Sequence, residues 1–429
     1  MKHIVYALVD CNNFYVSCER TFNGALHSRP VLVLSNNDGC VVARSDECKA
    51  LGIKMGQPVF QCRELIEQHH ILLFSSNYPL YADMSDRVMQ TLATFSPSVE
   101  VYSIDEAFLD LSHVPREQLH TYGHQIRETV WRFTGLPVSV GVASTKTLTK
   151  VSNEVAKKHP VYQGVLSLVH ASEEELDEVL EMLPVQDIWG IGPRYARLLQ
   201  SRDILTAKDL KYADQRWIRR HLTVVGERTV LELRGIACIP LETQAKPKKG
   251  IMTAKSFGRS VESLKELEEA ISCYVARAAE KLRKQESAAS CISVFLHTNA
   301  FQQDAPQYGN SLTRMLPFPT SFTPDLFNVA LDMLRSIYRE GYAYKKCGVF
   351  LTRIVPQDVL QADLFGEYSI EQEYKKARLM CVVDLLNEWW GSNTLFFGAQ
   401  GIVRAWKMRQ ERRSPRYTTR AGDIVVVST

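Results

Sequence analysis

Residues 4–10, Ile-Val-Tyr-Ala-Leu-Val-Asp, form a β-branched and aromatic run that predicts a strand ending in a carboxylate. Cys11, Asn12 and Asn13 follow, and their asparagines are start signals for a helix reaching Glu19. Residues 31–35 predict another strand, then a polar turn at 36–39, a helix carrying Arg44 and Lys49, and a loop at 51–56. Apolar positions at Met84, Val88, Leu92 and Phe95, and again at Leu119, Tyr122, Ile126, Val130 and Phe133, have helical spacing. Between these two stripes, the runs 99–104 and 107–111 flank the acidic pair Asp105-Glu106 and predict a hairpin. Residues 138–143 read as a strand, and 146–158 as a basic helix. This order predicts an antiparallel sheet backed by helices.

Further on, Gly190-Ile-Gly192 is followed by Pro193 in the first helical turn and by inward-facing Ala196 and Leu199. That is the pattern of a helix-hairpin-helix, whose glycines let DNA phosphate approach backbone N–H groups closely. A looser second copy is expected at 218–235. Residues 240–253 look like a linker, and from 240 to 259 five basic residues stand against the single acid Glu242. A tether beside a polyanion and a solvated basic linker both fit that balance. A strand at 254–259, a helix through Leu267, Ile271, Tyr274, Ala278 and Leu282, strands at 291–297 and 311–316, a helix at 324–340 and a strand at 346–354 make a second β-α-β-β-α-β unit. Residues 366–429 predict two helices and a basic segment, with seven basic residues against one acid from Arg404 to Arg420, then a β-like run at 424–427.

Composition narrows the picture only slightly. A chain of 429 residues has the length of roughly three domains. Its net charge of +3 carries no argument for a basic function, so the distribution of charge must supply one. The sequence has no apolar run of membrane-spanning length and no signal-peptide pattern, which predicts a cytoplasmic protein with no membrane partner. Ten scattered cysteines include no Cys-x-x-Cys pair and no zinc spacing, and they read as reduced thiols.

The chemistry rests on three acids. Adjacent side chains of a strand point to opposite faces, so Asp105 and Glu106 can serve one site only if the chain turns there. Two carboxylates at a hairpin tip suit a hard cation such as Mg²⁺. An isolated acidic pair is more often a solvated turn, and Asp10 is the third carboxylate that changes this reading. It ends a strand just before a helix N-terminus, whose unpaired N–H groups attract phosphate. Phe14 and Tyr15 lie one turn in, where core and site roles both fit.

Asp10 with Phe14-Tyr15, Ser103-Ile-Asp-Glu-Ala-Phe108, Gly190-Ile-Gly192 and Lys255-Ser-Phe-Gly-Arg259 resemble, in this order, the motifs of the Y-family translesion DNA polymerases. Ser35-Asn-Asn-Asp-Gly-Cys40, Ser75-Ser-Asn-Tyr78, Tyr81-Ala-Asp-Met-Ser85 and Ser414-Pro-Arg-Tyr-Thr-Thr-Arg420 extend the resemblance, along essentially the whole chain, to the UmuC family. The resemblance implies an α+β multidomain fold: a right-hand polymerase with a ferredoxin-like palm, small fingers, a helix-hairpin-helix thumb and a β-α-β-β-α-β little finger. The palm would comprise 1–19 and 79–168, the fingers 20–78, the thumb 169–239, the linker 240–252, the little finger 253–356, and a clamp-motif and partner-binding region 357–429.

The resemblance further implies that Asp10, Asp105 and Glu106 are catalytic and hold two Mg²⁺ ions, with Tyr15 as a steric gate against the ribose 2′-hydroxyl. Cys11, Asn12, Asn13, Phe14, Lys49 and Lys157 would bind the dNTP, and Gly190, Gly192, Lys255, Ser256 and Arg259 the primer-template DNA. Position 49 is Lys where many members carry Arg, which loses the bidentate fork. Asp46 stands where several relatives place a phosphate-contacting Tyr, and an acid there would weaken phosphate binding. Gln361-Ala-Asp-Leu-Phe365 resembles a sliding-clamp peptide, with Gln361, Leu364 and Phe365 entering the clamp and Ala362 replacing a frequent Leu. In the UmuC family the C-terminal region meets the UmuD′ dimer, and RecA activates the complex in the SOS response to DNA damage. A nucleotide cyclase would share the palm-like sheet and metal acids, but the helix-hairpin-helix and the little finger count against it. A catalytically dead DNA-binding scaffold would have lost at least one of the three acids, and none is lost.

Overall fold

The structure is a computed structural model and describes residues 4–244, 246–302, 304–357 and 370–424. The expected clamp peptide at 361–365 and residues 425–427 of the expected terminal run lie outside the described residues. Residues 1–35, 39–245 and 412–429 form one compact unit; residues 36–38 and 246–411 form the other.

In the first unit the strands are β1 (Tyr6–Cys11), β2 (Val31–Leu34), β3 (Val41–Arg44), β4 (Leu72–Ser75), β5 (Val99–Val101), β6 (Glu106–Asp110), β7 (Val138–Ala143) and β8 (Val165–Ser167). Five of them make a sheet ordered β5-β6-β1-β7-β8. It departs from the fully antiparallel expectation at one place. β7 and β8 are parallel, because the helix Lys146–Lys158 carries the chain back between them. A smaller sheet is ordered β3-β2-β4, with β2 parallel to β4. Arg44 ends a strand rather than riding a helix, since residues 41–44 alternate between buried and half-buried positions. The helix there is Asp46–Ala50, begun by Ser45, whose hydroxyl accepts the Cys48 N–H.

The two-residue period of the strands sorts the large sheet into faces. Val5, Ala7, Val9 and Cys11 join Ala107, Leu109, Val138, Val140 and Val142 in one core with the helices Tyr78–Leu92 and Leu119–Thr134. Asp10 and Glu106 therefore belong to the opposite face. There, Lys146–Lys158 sends Leu148, Val151 and Val155 into a second core with the helices Glu173–Glu181, Pro193–Gln200, Ala207–Tyr212 and Gln215–Leu233. Gly141 allows this helix to press on the sheet, because a Cβ at that position would collide with the backbone of Thr149 and Asn153. The looser hairpin expected at 218–235 is a kink within Gln215–Leu233, at Thr223, where φ is 66°.

The second unit is one antiparallel sheet of β9 (Ile251–Val261), β10 (Ser287–Thr298), β11 (Gly309–Thr320) and β12 (Tyr344–Pro356), ordered β11-β10-β12-β9. The helices Leu264–Lys284 and Thr323–Ile337 share its core, which also takes in Trp406. β9 begins at Ile251, inside the segment expected to be linker. β11 runs on through Pro317 and Pro319, which an edge strand tolerates because its outer N–H groups have no ladder partner. Beyond 369 the described residues contain one long helix, Ile370–Trp390, rather than two. Asp384 ties it to Arg283 at 2.6 Å, and Lys376 to Asp325 at 2.8 Å. Gly391 and Gly401, at φ 104° and 68°, punctuate the segment where a second helix was expected, leaving a short turn at Gly398–Gln400.

Candidate active site

Asp10 and Glu106 are paired residues of the β1–β6 ladder, so their side chains share one face. Asp105 occupies the turn just before β6, and its carbonyl accepts the Cys11 N–H at 2.8 Å. The hairpin thus resolves the difficulty of adjacent acids: one is in the turn and the other is on the strand. Each acid has its own partner. Lys157 Nζ lies 2.6 Å from Asp10 Oδ1, Lys150 Nζ lies 2.8 Å from Glu106 Oε2, and the Ser103 hydroxyl donates to Asp105 Oδ1. Among the described residues, no three His, Cys, Asp or Glu side chains are gathered as a ready metal cluster.

Burial raises the Asp10 carboxyl above its ordinary value; Lys157 opposes the shift and Asp105 adds to it. Burial likewise raises Glu106, against Lys150 and with help from Asp10 and Asp105. For Lys157, burial disfavours the ammonium, but the attraction of Asp10 wins and the pKa rises. Asp10 and Lys157 are each raised, which is consistent: the pair is attractive, and Asp10 still carries a desolvation cost larger than that attraction.

A cleft of about 730 Å³ opens beside these acids. Cys11, Asn12, Asn13, Phe14, Tyr15, Lys49, Asp105 and Lys157 all line it, so the structure gathers the nucleotide-site residues expected from sequence into one place. Asn13 starts the helix Phe14–Phe22 in the left-handed region at φ 51° without capping it. Its side chain donates instead to Asp46 Oδ2 at 3.0 Å. The N–H groups of the first turn are thereby left without a side-chain cap at the cleft. Asp46 also holds Lys49 at 2.8 Å, and although partial burial opposes it, its hydrogen bonds with Lys49 and Asn13 lower its pKa. Tyr15 packs face to face on Tyr81, with centroids 4.4 Å apart at 14°, while Tyr78 meets it edge-on at 6.2 Å. Burial, followed by Tyr78, pushes the Tyr15 phenol up to about 12.

The remaining expected residues lie elsewhere. Gly190 turns at φ 90°, a conformation suited to glycine, and Gly192 precedes the helix Pro193–Gln200. Beside Gly190 in sequence, Trp189 donates its indole N–H to the Tyr102 hydroxyl at 3.0 Å. Lys150 sits 4.5 Å from the Tyr102 ring and 5.4 Å from that of Trp189. Lys255 and Arg259 are exposed on β9 of the second unit, with Ser256 half-buried between them, and Arg259 pairs with Glu266. Sequence reasoning missed Lys150, Arg44 and Glu154. Lys150 and Lys157 are two turns apart on one helix, and that spacing was the available signal.

Residues 9–154 match the impB/mucB/samB family, 248–364 its C-terminal domain, 173–204 its helix-hairpin-helix motif, and 377–427 a domain of unknown function. The chain is 45% identical to UmuC of Salmonella typhimurium, over 99% of this chain and 100% of that protein. It is 42% identical to MucB of Escherichia coli, over 97% of both. In fold it is similar to a Y-family DNA polymerase chimera built from Dbh and Dpo4, with a TM-score of 0.64 at 22% identity over 82% of this chain and 99% of that one. The ladder that pairs Asp10 with Glu106, the hairpin motif and the second α/β unit thus occur in a chain that belongs to the impB/mucB/samB (UmuC) family.

Proposed function

We propose that this polymerase carries out error-prone translesion synthesis in the SOS response, adding dNTPs to a primer 3′-hydroxyl opposite damaged template bases. The observation that carries this reading is the pairing of Asp10 with Glu106 on one sheet face, next to Asp105, which lines a cleft with Tyr15, Lys49 and Lys157. The donor set fits Mg²⁺: three hard carboxylates, of which Asp10 and Glu106 are raised chiefly by burial, with the neighbouring acids adding to it, and are each paired with a lysine ammonium. Asp10, Asp105 and Glu106 would hold two ions, which when bound lower the pKa of the primer hydroxyl and neutralise the triphosphate.

The rest falls to the chain's own groups. Lys157 and Lys49, released from Asp10 and Asp46, would meet the triphosphate, and the uncapped first turn beginning at Phe14 would donate N–H groups to it. Tyr15 would wall the sugar and exclude a 2′-hydroxyl, with Cys11, Asn12 and Asn13 shaping the same rim. In the reading adopted here, 1–19 and 79–168 are the palm, 20–78 the fingers, 169–239 the thumb, 240–252 the linker and 253–356 the little finger. Gly190 and Gly192 would offer backbone N–H groups to DNA phosphate, and Lys255, Ser256 and Arg259 a strand edge to the duplex. Gln361, Leu364 and Phe365 would bind a sliding clamp, and the region 357–429 would meet UmuD′, with RecA activating the assembly in the cytoplasm. Primer extension across an abasic site, with and without UmuD′ and RecA, tests the proposal. Extension past the lesion is expected, and extension confined to undamaged template would overturn it.

A further inference from the structure

The helix Phe14–Phe22 carries Tyr15 and, one turn later, Glu19, whose carboxylate is 1% exposed. Glu19 Oε1 accepts two hydroxyl hydrogens, from Tyr81 at 2.7 Å and from Ser414 at 2.9 Å. Tyr81 is the residue whose ring packs on Tyr15. Ser414 lies in the C-terminal segment, which the first unit includes from residue 412 onward.

The segment is held at several points. Asn77, fully buried, begins the helix Tyr78–Leu92, yet its side chain makes no cap bond there. Its amide donates instead to Ser414 Oγ at 2.9 Å, the Ser414 carbonyl at 3.1 Å and the Pro415 carbonyl at 3.0 Å. The Ser75 N–H donates to the Arg412 carbonyl at 3.0 Å, and the Arg412 N–H to Ser75 Oγ at 3.0 Å. Tyr417 stacks on Phe22 with centroids 4.8 Å apart at 13°.

We infer that residues 412–417 are a positioning element for the nucleotide site: Ser414 fixes Glu19, Glu19 fixes the Tyr81 hydroxyl, and Tyr81 fixes the plane of Tyr15. This gives part of the region matched only by a domain of unknown function a task in sugar discrimination, and it rests on the reading of Tyr15 as the sugar-facing wall. Its logic is that of a buried polar network. Every member is oriented while all are satisfied, and removal of one hydroxyl leaves an oxygen free to seek another partner. Glu19 is a natural hub because burial raises its pKa, so its hydrogen-bond donors matter to where it settles.

The test is single-nucleotide insertion by the full-length chain, comparing Ser414→Ala, Ser414→Thr, Tyr81→Phe and the Ser414→Ala/Tyr81→Phe pair, with melting temperatures measured alongside. S414A is expected to raise the ratio of rNTP to dNTP insertion efficiency by roughly three- to tenfold, which is what one net hydrogen bond is worth. Y81F, which keeps the ring and loses the hydroxyl, should do the same. The pair should do no more than either alone, and S414T should restore the wild-type ratio. An S414A variant that melts like wild type with an unmoved ratio and an unmoved dNTP KM overturns the inference. So does an equal loss of kcat for both nucleotides without rescue by S414T. Tyr15→Ala serves as the control. If it leaves the ratio unchanged, the gate reading of Tyr15 falls, and the dNTP KM of S414A then decides: a rise of several fold at unchanged kcat supports positioning, and no rise refutes it.

Discussion

Asp10 and Glu106 stand opposite each other in the β1–β6 ladder, and each is closed by a lysine of the same helix, Lys157 at 2.6 Å and Lys150 at 2.8 Å. Two acids and two ammoniums thus balance in charge on one side of the sheet.

Asp105→Asn and Glu106→Gln should each lower primer extension by roughly 10²–10³-fold, the range found when a group stabilising transition-state charge is removed. Primer-template affinity, read by fluorescence anisotropy, should change little if these carboxylates serve ions rather than DNA. Near wild-type extension by either variant would remove that residue from the metal-binding set.

Glu19 should give stability a pH dependence of unusual sign. Burial holds its carboxyl above the ordinary 4.5, with the Tyr81 and Ser414 hydrogen bonds pulling the other way. Between 4.5 and that raised value, the folded chain keeps a proton that the unfolded chain has lost. The contribution is fully present below the ordinary value and declines as pH rises through the folded one. Denaturant titrations of wild type and Glu19→Gln over this interval isolate the effect as a difference. A difference that does not vary with pH would show that Glu19 titrates normally.

Gly141→Ala should destabilise the first unit by ~1–3 kcal/mol or more, the cost of overpacking where the neighbours are backbone and cannot swing away. Its Cβ would meet Thr149 and Asn153 on the helix that presents Lys150 and Lys157. Urea unfolding checks the stability, and the variant's primer extension should fall with it. An unchanged midpoint would mean that the helix lifts from the sheet without penalty.

Leu364→Ala with Phe365→Ala should abolish stimulation by a sliding clamp while sparing unstimulated extension. Each side chain is worth roughly 1.5–3 kcal/mol if fully buried on the partner. Loss of basal activity together with the fold would instead identify both residues as core.

Local signals made much of this architecture legible. The hairpin around Asp105 and Glu106 was expected if both acids were to serve one site, whereas the shared face of Asp10 and Glu106 follows from the β1–β6 register, which periodicity within a strand does not fix. The helix 146–158 was readable as a basic segment, and in the structure Thr145 caps its start and lysines close its last turn. What escaped had non-local causes. Arg44 looked helical until β2 supplied a ladder for residues 41–44. β11 looked shorter than it is because its prolines are excluded only from central strands, and its place at the edge is a property of the whole sheet. The pairing of Ser414 with Glu19 spans 395 residues, and no periodicity reaches that far.

That separation also orders events during synthesis. Glu19 and Tyr81 leave the ribosome early, but the serine that completes their network is made 395 residues after Glu19. At ordinary elongation rates this is a delay of roughly 20–80 s. A nascent chain, or one clipped before residue 412, can form the sheet and its acids while the tyrosine wall still lacks one of its fixings. The last hydroxyl on Glu19 thus arrives only when the chain has been made as far as residue 414.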